Sequence, residues 1–185
     1  NLKVRRYGAP GTSHKYVARE AAKALGRPIE DLKIITCHLG NGASVSAING
    51  GKVMDTSMGF TPLEGLVMGT RTGDMDPAAV LYIMKNKGYT PDEMDTYVNK
   101  KSGLLGVSGI SNDFRDIEAA MDEGNERAQL AYDMFALRVK KYIGAYYAEL
   151  NGCDAIVFTA GIGENDDRVR ASICADLEAL GIAID

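Results

Sequence analysis

The spacing of apolar positions changes period several times along the chain. From His14 to about Leu25, Val17, Ala21, Ala24 and Leu25 recur at roughly helical intervals, with Gly26 as the stop and Thr12 or Ser13 as the cap. Two-residue alternation then takes over. KIITCHL (Lys33 to Leu39) is short and β-branched, Gly40-Asn41-Gly42 is a turn, and ASVSAI resumes a strand that ends at Asn49-Gly50-Gly51, a strong hairpin signal. KVMDTS is the returning strand, so residues 33–57 are expected to form three antiparallel strands joined by two tight turns.

A Gly- and Thr-rich loop, GFTPLEGLVMGTRTGDMDP, separates this meander from a second half in which Pro77 opens a helix to about Lys87 and residues 91–100 form another. GLLGVSGISND reads as loop and Asp116 to Met121 as a short helix. From Glu126 to about Leu150 the apolar positions Leu130, Met134, Leu137, Val139, Ile143, Ala145 and Tyr146 predict one long helix, buried on more than one side. A buried strand, Ala155 to Thr159, then runs into a glycine loop, and a capped helix follows from about Asp166 to Leu180. This is a mixed α/β plan without internal repeats.

Composition narrows the function classes. At 185 residues, with 45% hydrophobic and 25% charged residues, the chain can bury roughly 70% of its unfolded surface. A net charge of -4 and a pI near 5.3 leave no electrostatic footprint for nucleic acid. The longest apolar runs are far too short for a membrane span, and no secretory signal is expected, since no charged segment followed by an apolar one opens the chain. Cys37, Cys153 and Cys174 are odd in number and widely spaced, fitting neither a disulfide framework nor a zinc site, so free thiols in a reducing cytoplasm are expected. The start at Asn1 rather than Met suggests a processed or excised piece.

The segments that can carry chemistry are polar loops at the ends of predicted elements. In HLGNG, His38, Leu39, Gly40, Asn41 and Gly42 end a strand in a glycine turn whose main-chain N–H groups are open to a phosphate; an ordinary hairpin turn is the plain alternative. In GTRTGDMDP, Arg71 lies among Thr70, Thr72, Asp74 and Asp76, so acidic neighbours can hold its guanidinium and aim it at an anion; a solvated loop is the alternative. Asp74 and Asp76 do not continue into a calcium loop, because Pro77 and a helix follow. GIGEN (Gly161, Ile162, Gly163, Glu164, Asn165) follows a buried strand and opens a helix, as in nucleotide-binding turns. The dinucleotide fingerprint nevertheless fails, since Asp166 stands where its third glycine belongs, and no P-loop is present. In NDFRD, Arg115 can stack on a base and Asp113 can accept from a ribose or cap the next helix. The opening loop brings Arg5, Arg6, Ser13 and His14, with His14 either a charged helper or a satisfied structural histidine. With only two histidines, no histidine-rich metal cage can be built.

Taken in order, RRYG..GTSHKYV, HLGNGASVSAINGGKVMDTSMGFTPLEGLVMGTRTGDMDP, SGLLGVSGISNDFRD and VFTAGIGEN resemble the acetate kinase family, over essentially the whole chain. The resemblance implies an actin-like ATPase (ribonuclease H-like) fold, a mixed sheet with an antiparallel meander and flanking helices. Residues 1–30 would lead in from an amino-terminal domain, and 31–185 would be a nucleotide-binding domain incomplete at its end. The implied reaction is reversible, Mg2+-dependent phosphoryl transfer from ATP to acetate, giving acetyl phosphate and ADP. The segment His38 to Gly42 would contact the phosphates, Asp113, Phe114 and Arg115 with Gly161 to Asn165 would hold adenosine, and Arg71 would stabilise the transferring group. The resemblance also implies a cytoplasmic homodimer and no metal ligand within this chain. Its alternatives are a propionate or other short-chain acyl kinase, and a noncatalytic nucleotide-binding or dimerisation module.

The chain departs from the family in two respects. Pro10 stands where the family pattern Tyr-Gly-Phe-His-Gly-Thr-Ser-His carries a histidine that acts on the transition state; proline has no side-chain donor, and losing one such donor costs on the order of 10²-fold in rate. His14 is expected to be supporting. Family members also continue at both ends, carrying further active-site residues there, so the isolated chain is expected to be inactive alone.

Overall fold

The change of period at Lys33 is where the sheet begins. In the computed structural model, which describes Leu2, Val4 and residues 11–184, β1 (Lys33–Leu39), β2 (Ala43–Asn49) and β3 (Lys52–Thr56) form the expected antiparallel meander. Between β2 and β3, Gly50 and Gly51 both have positive φ, 57° and 77°. A two-residue hairpin turn of matching twist requires that sign at both positions, and glycine adopts it without a Cβ clash. β4 (Ala155–Thr159) arrives much later in the chain and pairs parallel with β1, giving the order β3-β2-β1-β4.

Helices cover both faces. On one lies α1 (Thr12–Leu25), which buries Ala18 and Ala22 against Leu32, Ile34 and Ile48. The meander continues through the long glycine-rich loop to α2 (Pro77–Lys87) and α3 (Pro91–Lys100), whose boundaries follow the prolines that open them. The other face carries the larger core: Ile35, Cys37, Leu39 and Val45 from the sheet pack against α4 (Gly103–Ser108), α5 (Phe114–Asp122), α6 (Glu126–Leu150) and α8 (Asp167–Cys174), with α7 (Ala160–Asn165) bridging β4 to α8.

Local sequence misleads in a few places. Residues 103–108 form a helix although Gly and Ser make GLLGVS a poor helix former. Tertiary contacts override propensity: Leu104 is fully buried, and the Leu104 and Leu105 amides donate to the Met68 and Gly69 carbonyls. GIGEN is a helical turn rather than an open loop, its last carbonyls Gly163 and Glu164 accepting from the Arg170 guanidinium at 2.9 Å each. The final helix ends at Cys174, and a 3₁₀ turn covers Glu178–Leu180, because Ala175 leaves helical geometry with ψ at 141° and Asp176 then takes a left-handed φ of 60°. Along α6 the buried face runs through Tyr132, Phe135, Val139, Ile143 and Tyr146, while Leu130 and Leu137 are exposed rather than buried.

Phe135 is 1% exposed and its ring sits 4.9 Å from that of Phe114 at the start of α5. Truncating it removes transfer energy and leaves a cavity at the meeting of α5, α6 and the sheet. Phe135→Ala is expected to lower unfolding free energy by about 3–5 kcal/mol in urea denaturation, with Phe135→Leu costing much less.

Candidate functional site

Parallel strands end at the same edge of a sheet, and β1 and β4 do so with His38 opposite Thr159. Two turns therefore leave side by side. After β1 the Gly40 amide donates to the Gly42 carbonyl at 3.1 Å, closing the glycine turn on itself. A Cβ on Gly40 would lie 3.7 Å from that of Ala160, the residue that follows β4. Ala160 holds φ at 67°, a conformation that costs a non-glycine residue about 1–3 kcal/mol and turns the chain abruptly into α7. Gly163 in α7 is buried against Phe158 and the Cys37 carbonyl.

Two further loops close on the same turn. Asn112, just ahead of α5, donates through Nδ2 to Asn41 Oδ1 at 3.1 Å, and the Gly69 amide donates to the Asn41 carbonyl at 3.0 Å. A Cβ at Gly69 would come within 2.0 Å of Asn41 Oδ1, so the loop approaches this closely only because residue 69 has no side chain. Asn41 Nδ2 has no partner among the described residues.

Arg71 lies beyond Gly69, its Nη1 3.7 Å from where a Cβ on Gly42 would be. The backbone around it is fixed: the Met68 amide donates to the Arg71 carbonyl, Ser102 donates to the Thr70 carbonyl, and Thr72 donates to the Val98 carbonyl, all at 2.9–3.2 Å. Its guanidinium is half-buried and makes only long contacts, 3.4 Å to the Pro62 carbonyl and 3.7 Å to Met68 Sδ. The expectation that acidic neighbours hold it is corrected. Asp74 accepts instead from the Gly65 amide and from the Tyr142 hydroxyl, and Asp76 caps α2 by accepting from the Ala78 amide. Among the described residues no carboxylate pairs with Arg71, so its planar donors remain available to an anion.

On the α1 side, the sheet face grades from apolar to polar toward this edge. Ile34 faces Ile48, then Thr36 faces Ser46, then His38 faces Ser44. His14 enters this polar end at 3% exposure, with Nδ1 2.6 Å from Thr36 Oγ1 and Nε2 2.8 Å from Ser44 Oγ. Burial, and secondarily the nearby His38, pulls its pKa from 6.5 to about 4, so the ring is neutral and donates through one nitrogen while accepting through the other. Ser13 does not cap α1. Gly11 occupies the cap position without a side-chain bond, and Ser13 Oγ lies 3.2 Å from His38 Nδ1. Pro10, Arg5 and Arg6 lie outside the described residues.

At the start of α5, Asp113 both caps the helix, accepting from the Arg115 amide at 2.9 Å, and takes the Arg115 guanidinium in a two-point pair at 3.1 and 2.7 Å. Those bonds hold its carboxyl below the usual range. The exposed guanidinium plane is thereby oriented, while Phe114 commits its ring to the core beside Tyr132 and Phe135 and offers a ligand only its backbone. Leu39, fully buried, does likewise. In α7, Thr159 Oγ1 donates to Glu164 and Asn165 Nδ2 donates to the Gly161 carbonyl, which stiffens the turn without pointing either residue's role to a ligand.

Several members of the site went unread in the sequence. Thr36, Ser44 and Asn112 position His14 and Asn41. The alternation of Thr36, His38, Ser44 and Ser46 on one strand face was the available signal for the polar end of the sheet, whereas nothing local marks the contact of Asn112 with a residue 71 positions earlier.

Comparison with known proteins identifies the family and the fold. The acetokinase family profile matches residues 1–185. Acetate kinase 2 of Clostridium perfringens is 64% identical over 182 residues, and the acetate kinase of Heliobacterium modesticaldum 65% over 182; each match takes in 98% of this chain and 46% of the relative. The chain thus spans about half the length of the curated relatives it matches. Among solved structures, Porphyromonas gingivalis acetate kinase superposes with a TM-score of 0.96 at 51% identity, over 98% of this chain and 46% of that one. A propionate kinase from Francisella tularensis gives 0.92 at 47%, over 98% of this chain and 47% of that one.

The His14 pair of hydroxyl bonds carries a pH signature. The folded state takes up the His14 proton only near pH 4 and the unfolded chain near 6.5, so the unfolded state binds more protons between them. Stability from this group is whole above about pH 6.5 and falls as the pH drops toward 4, by about 3 kcal/mol at most. The urea midpoint of the wild type is expected to fall more steeply over that window than that of His14→Gln, which keeps a donor and an acceptor; parallel profiles would show that His14 is not the titrating group.

Proposed function

The chain belongs to the acetokinase family, and from that premise we propose that it carries the nucleotide-binding and phosphoryl-transfer machinery of an acetate kinase, moving a phosphoryl group reversibly between ATP and acetate. The observation that supports this most is the unpaired Arg71 guanidinium, held on a fixed backbone beside the Gly40–Gly42 turn.

The chemistry asks little more of the protein. An acetate oxygen attacks the γ-phosphorus of ATP, a new acyl O–P bond forms, and the bond to the β,γ-bridging oxygen breaks, leaving acetyl phosphate and ADP. The acceptor is already a carboxylate, so no strong general base is needed. The transition state is loose, with charge spread over the equatorial phosphoryl oxygens, and positioned donors stabilise it more than covalent chemistry does. Arg71 supplies a fixed positive charge there. Main-chain N–H groups of the turn, Asn41 Nδ2 and His38 are the donors for the nucleotide phosphates. His14 supports that end of the site as a neutral ring that adds no competing charge. Arg115, oriented by Asp113, offers a flat cation to the adenine, and Gly161–Asn165 forms the opposite wall of the adenosine site.

Magnesium would travel on the nucleotide phosphates, whose charge it neutralises. Among the described residues no group of three or more His, Cys, Asp or Glu side chains comes together to hold it. Acyl chain length is left between acetate and propionate by the likeness to the Francisella propionate kinase. The proposal includes a homodimer, to which the exposed Leu130 and Leu137 of α6 and Leu81 and Tyr82 of α2 are suited, and a cytoplasmic location. Among the described residues no helix is long and apolar enough to cross a membrane.

Two measurements separate the roles. Titration with Mg-ADP is expected to give saturable binding that Asn41→Ala and Arg115→Ala each weaken, by roughly 5- to 30-fold for loss of one or two hydrogen bonds or a stacked cation. Arg71→Ala is expected to leave ADP affinity within about threefold while lowering the rate of acetate-dependent ADP release by roughly 10²- to 10³-fold. Unchanged ADP affinity in both of the first variants would remove the adenosine and phosphate assignments.

A further inference from the structure

Arg71 is as useful as its placement, and the described contacts show what closes the loop that bears it. Gly65 and Asp74 are the two ends of that loop. The Asp74 amide donates to the Gly65 carbonyl at 2.9 Å, and the Gly65 amide donates to Asp74 Oδ1 at 2.9 Å, so the ends are clasped by a reciprocal pair. Gly65 has φ at 109°, and a Cβ there would stand 2.5 Å from the Ser57 carbonyl, so only glycine lets this end of the loop pass so close to the chain after β3. Both ends are then gripped by one face of α6. Arg138 Nη1 donates to the Gly65 carbonyl at 2.9 Å, and one helical turn on, the Tyr142 hydroxyl donates to Asp74 Oδ2 at 2.5 Å. Tyr142 is steadied in turn by Tyr146, ring centroids 5.7 Å apart and edge to face.

We propose that Tyr142, through Asp74, is a positioning residue for Arg71: the Tyr142–Asp74–Gly65 clasp anchors the loop to α6 so that the guanidinium stays beside the Gly40–Gly42 turn without an ion partner. The proposal rests on the assignment of Arg71 to the transferring phosphoryl group. The clasp also explains why an acidic residue so near Arg71 in sequence does not neutralise it. Both Asp74 oxygens are engaged, one by the Gly65 amide and one by the Tyr142 hydroxyl, so the carboxylate is held toward α6 and the loop end and makes no ion pair with Arg71. None of these groups touches the adenosine segments at Asp113–Arg115 or Gly161–Asn165, so their loss is expected to act on the transferring group and not on nucleotide affinity.

The test uses the full-length protein and reads two quantities. In steady-state assays of acetate-dependent ADP release, Tyr142→Phe is expected to lower kcat roughly 3- to 10-fold and Asp74→Ala roughly 10- to 50-fold, with KM for ATP within about twofold, while Asp74→Asn, which keeps an acceptor for Gly65 and a polar partner for Tyr142, restores most of what Asp74→Ala loses. Tyr147→Phe is the control, because Tyr147 bonds the Leu180 carbonyl and no part of the loop. Alongside, phenylglyoxal modification of Arg71 is followed by peptide mass spectrometry with inorganic phosphate as protectant. The phosphate concentration giving half protection is expected to rise about fivefold or more in Tyr142→Phe and not in Tyr147→Phe. Wild-type kcat in Tyr142→Phe, or an equal loss in kcat and ATP affinity, overturns the clasp. If Asp74→Ala does not fold, Tyr142→Phe and Asp74→Asn decide. A wild-type protein that releases no ADP with acetate overturns the phosphotransferase reading instead; the clasp is then judged on protection alone, where equal protection of wild type and Tyr142→Phe overturns it.

Discussion

The parallel hydrogen bonding of β4 to β1 is the constraint on which the site depends. It sets His38 opposite Thr159, so two segments more than a hundred positions apart in the chain finish together at one edge of the sheet. In open sheets that edge collects ligands, because the chain must leave it in turns whose backbone groups are not consumed by the ladder. Here the glycine turn after β1 lies beside the Ala160 turn after β4, a Cβ on Gly40 falling 3.7 Å from that of Ala160, and other loops gather on the β1 turn: Asn112 and Gly69 bond Asn41, and Arg71 Nη1 lies 3.7 Å from where a Cβ on Gly42 would be. Without that pairing the Gly161–Asn165 turn would no longer leave the sheet beside the Gly40–Gly42 turn.

The same sheet solves a second problem, how to bring polar groups to an edge without exposing the core. On the α1 face the cross-strand pairs pass from Ile34–Ile48 through Thr36–Ser46 to His38–Ser44, and α1 matches the gradient with Ala18 and Ala22 at one end and His14 and Ser13 at the other. A buried polar layer is tolerable only when its groups are paired, and both His14 nitrogens are. Keeping that histidine neutral matters electrostatically. A protonated ring in its place would bury a charge among neutral hydroxyls, with no carboxylate among the described residues at hand to pair it.

What was legible in the chain follows from the range of the forces involved. The meander and most helix boundaries were readable because each is decided locally: Asn49-Gly50-Gly51 signals a tight turn, and Pro77 marks a helix start by its own chemistry. α4 was not, since GLLGVS becomes helical through backbone bonds to Met68 and Gly69, which lie outside any local window. The site divides in the same way. The glycine turns, Arg71, and the capping use of Asp113 were visible as residue types in loops, while Thr36, Ser44, Asn112 and Tyr142 act across the fold. Local charge spacing actively misled at Arg71: Asp74 and Asp76 are near it in sequence, yet one closes a loop and the other caps α2.

That diversion of carboxylates is what separates a binding arginine from a structural one. An arginine already in a two-point ion pair, as Arg115 is with Asp113, offers a ligand its face and little net charge. Arg71 has the reverse arrangement, a backbone fixed by three neighbouring segments and a guanidinium whose contacts are long and neutral. Leaving a cation unpaired sacrifices folding energy at that position. The donors are then already in place when charge develops on a substrate, and no protein ion pair has to break first. Under the proposed function the two arginines would divide recognition between them, the paired one suited to a flat neutral ring and the unpaired one to a group that is gaining negative charge.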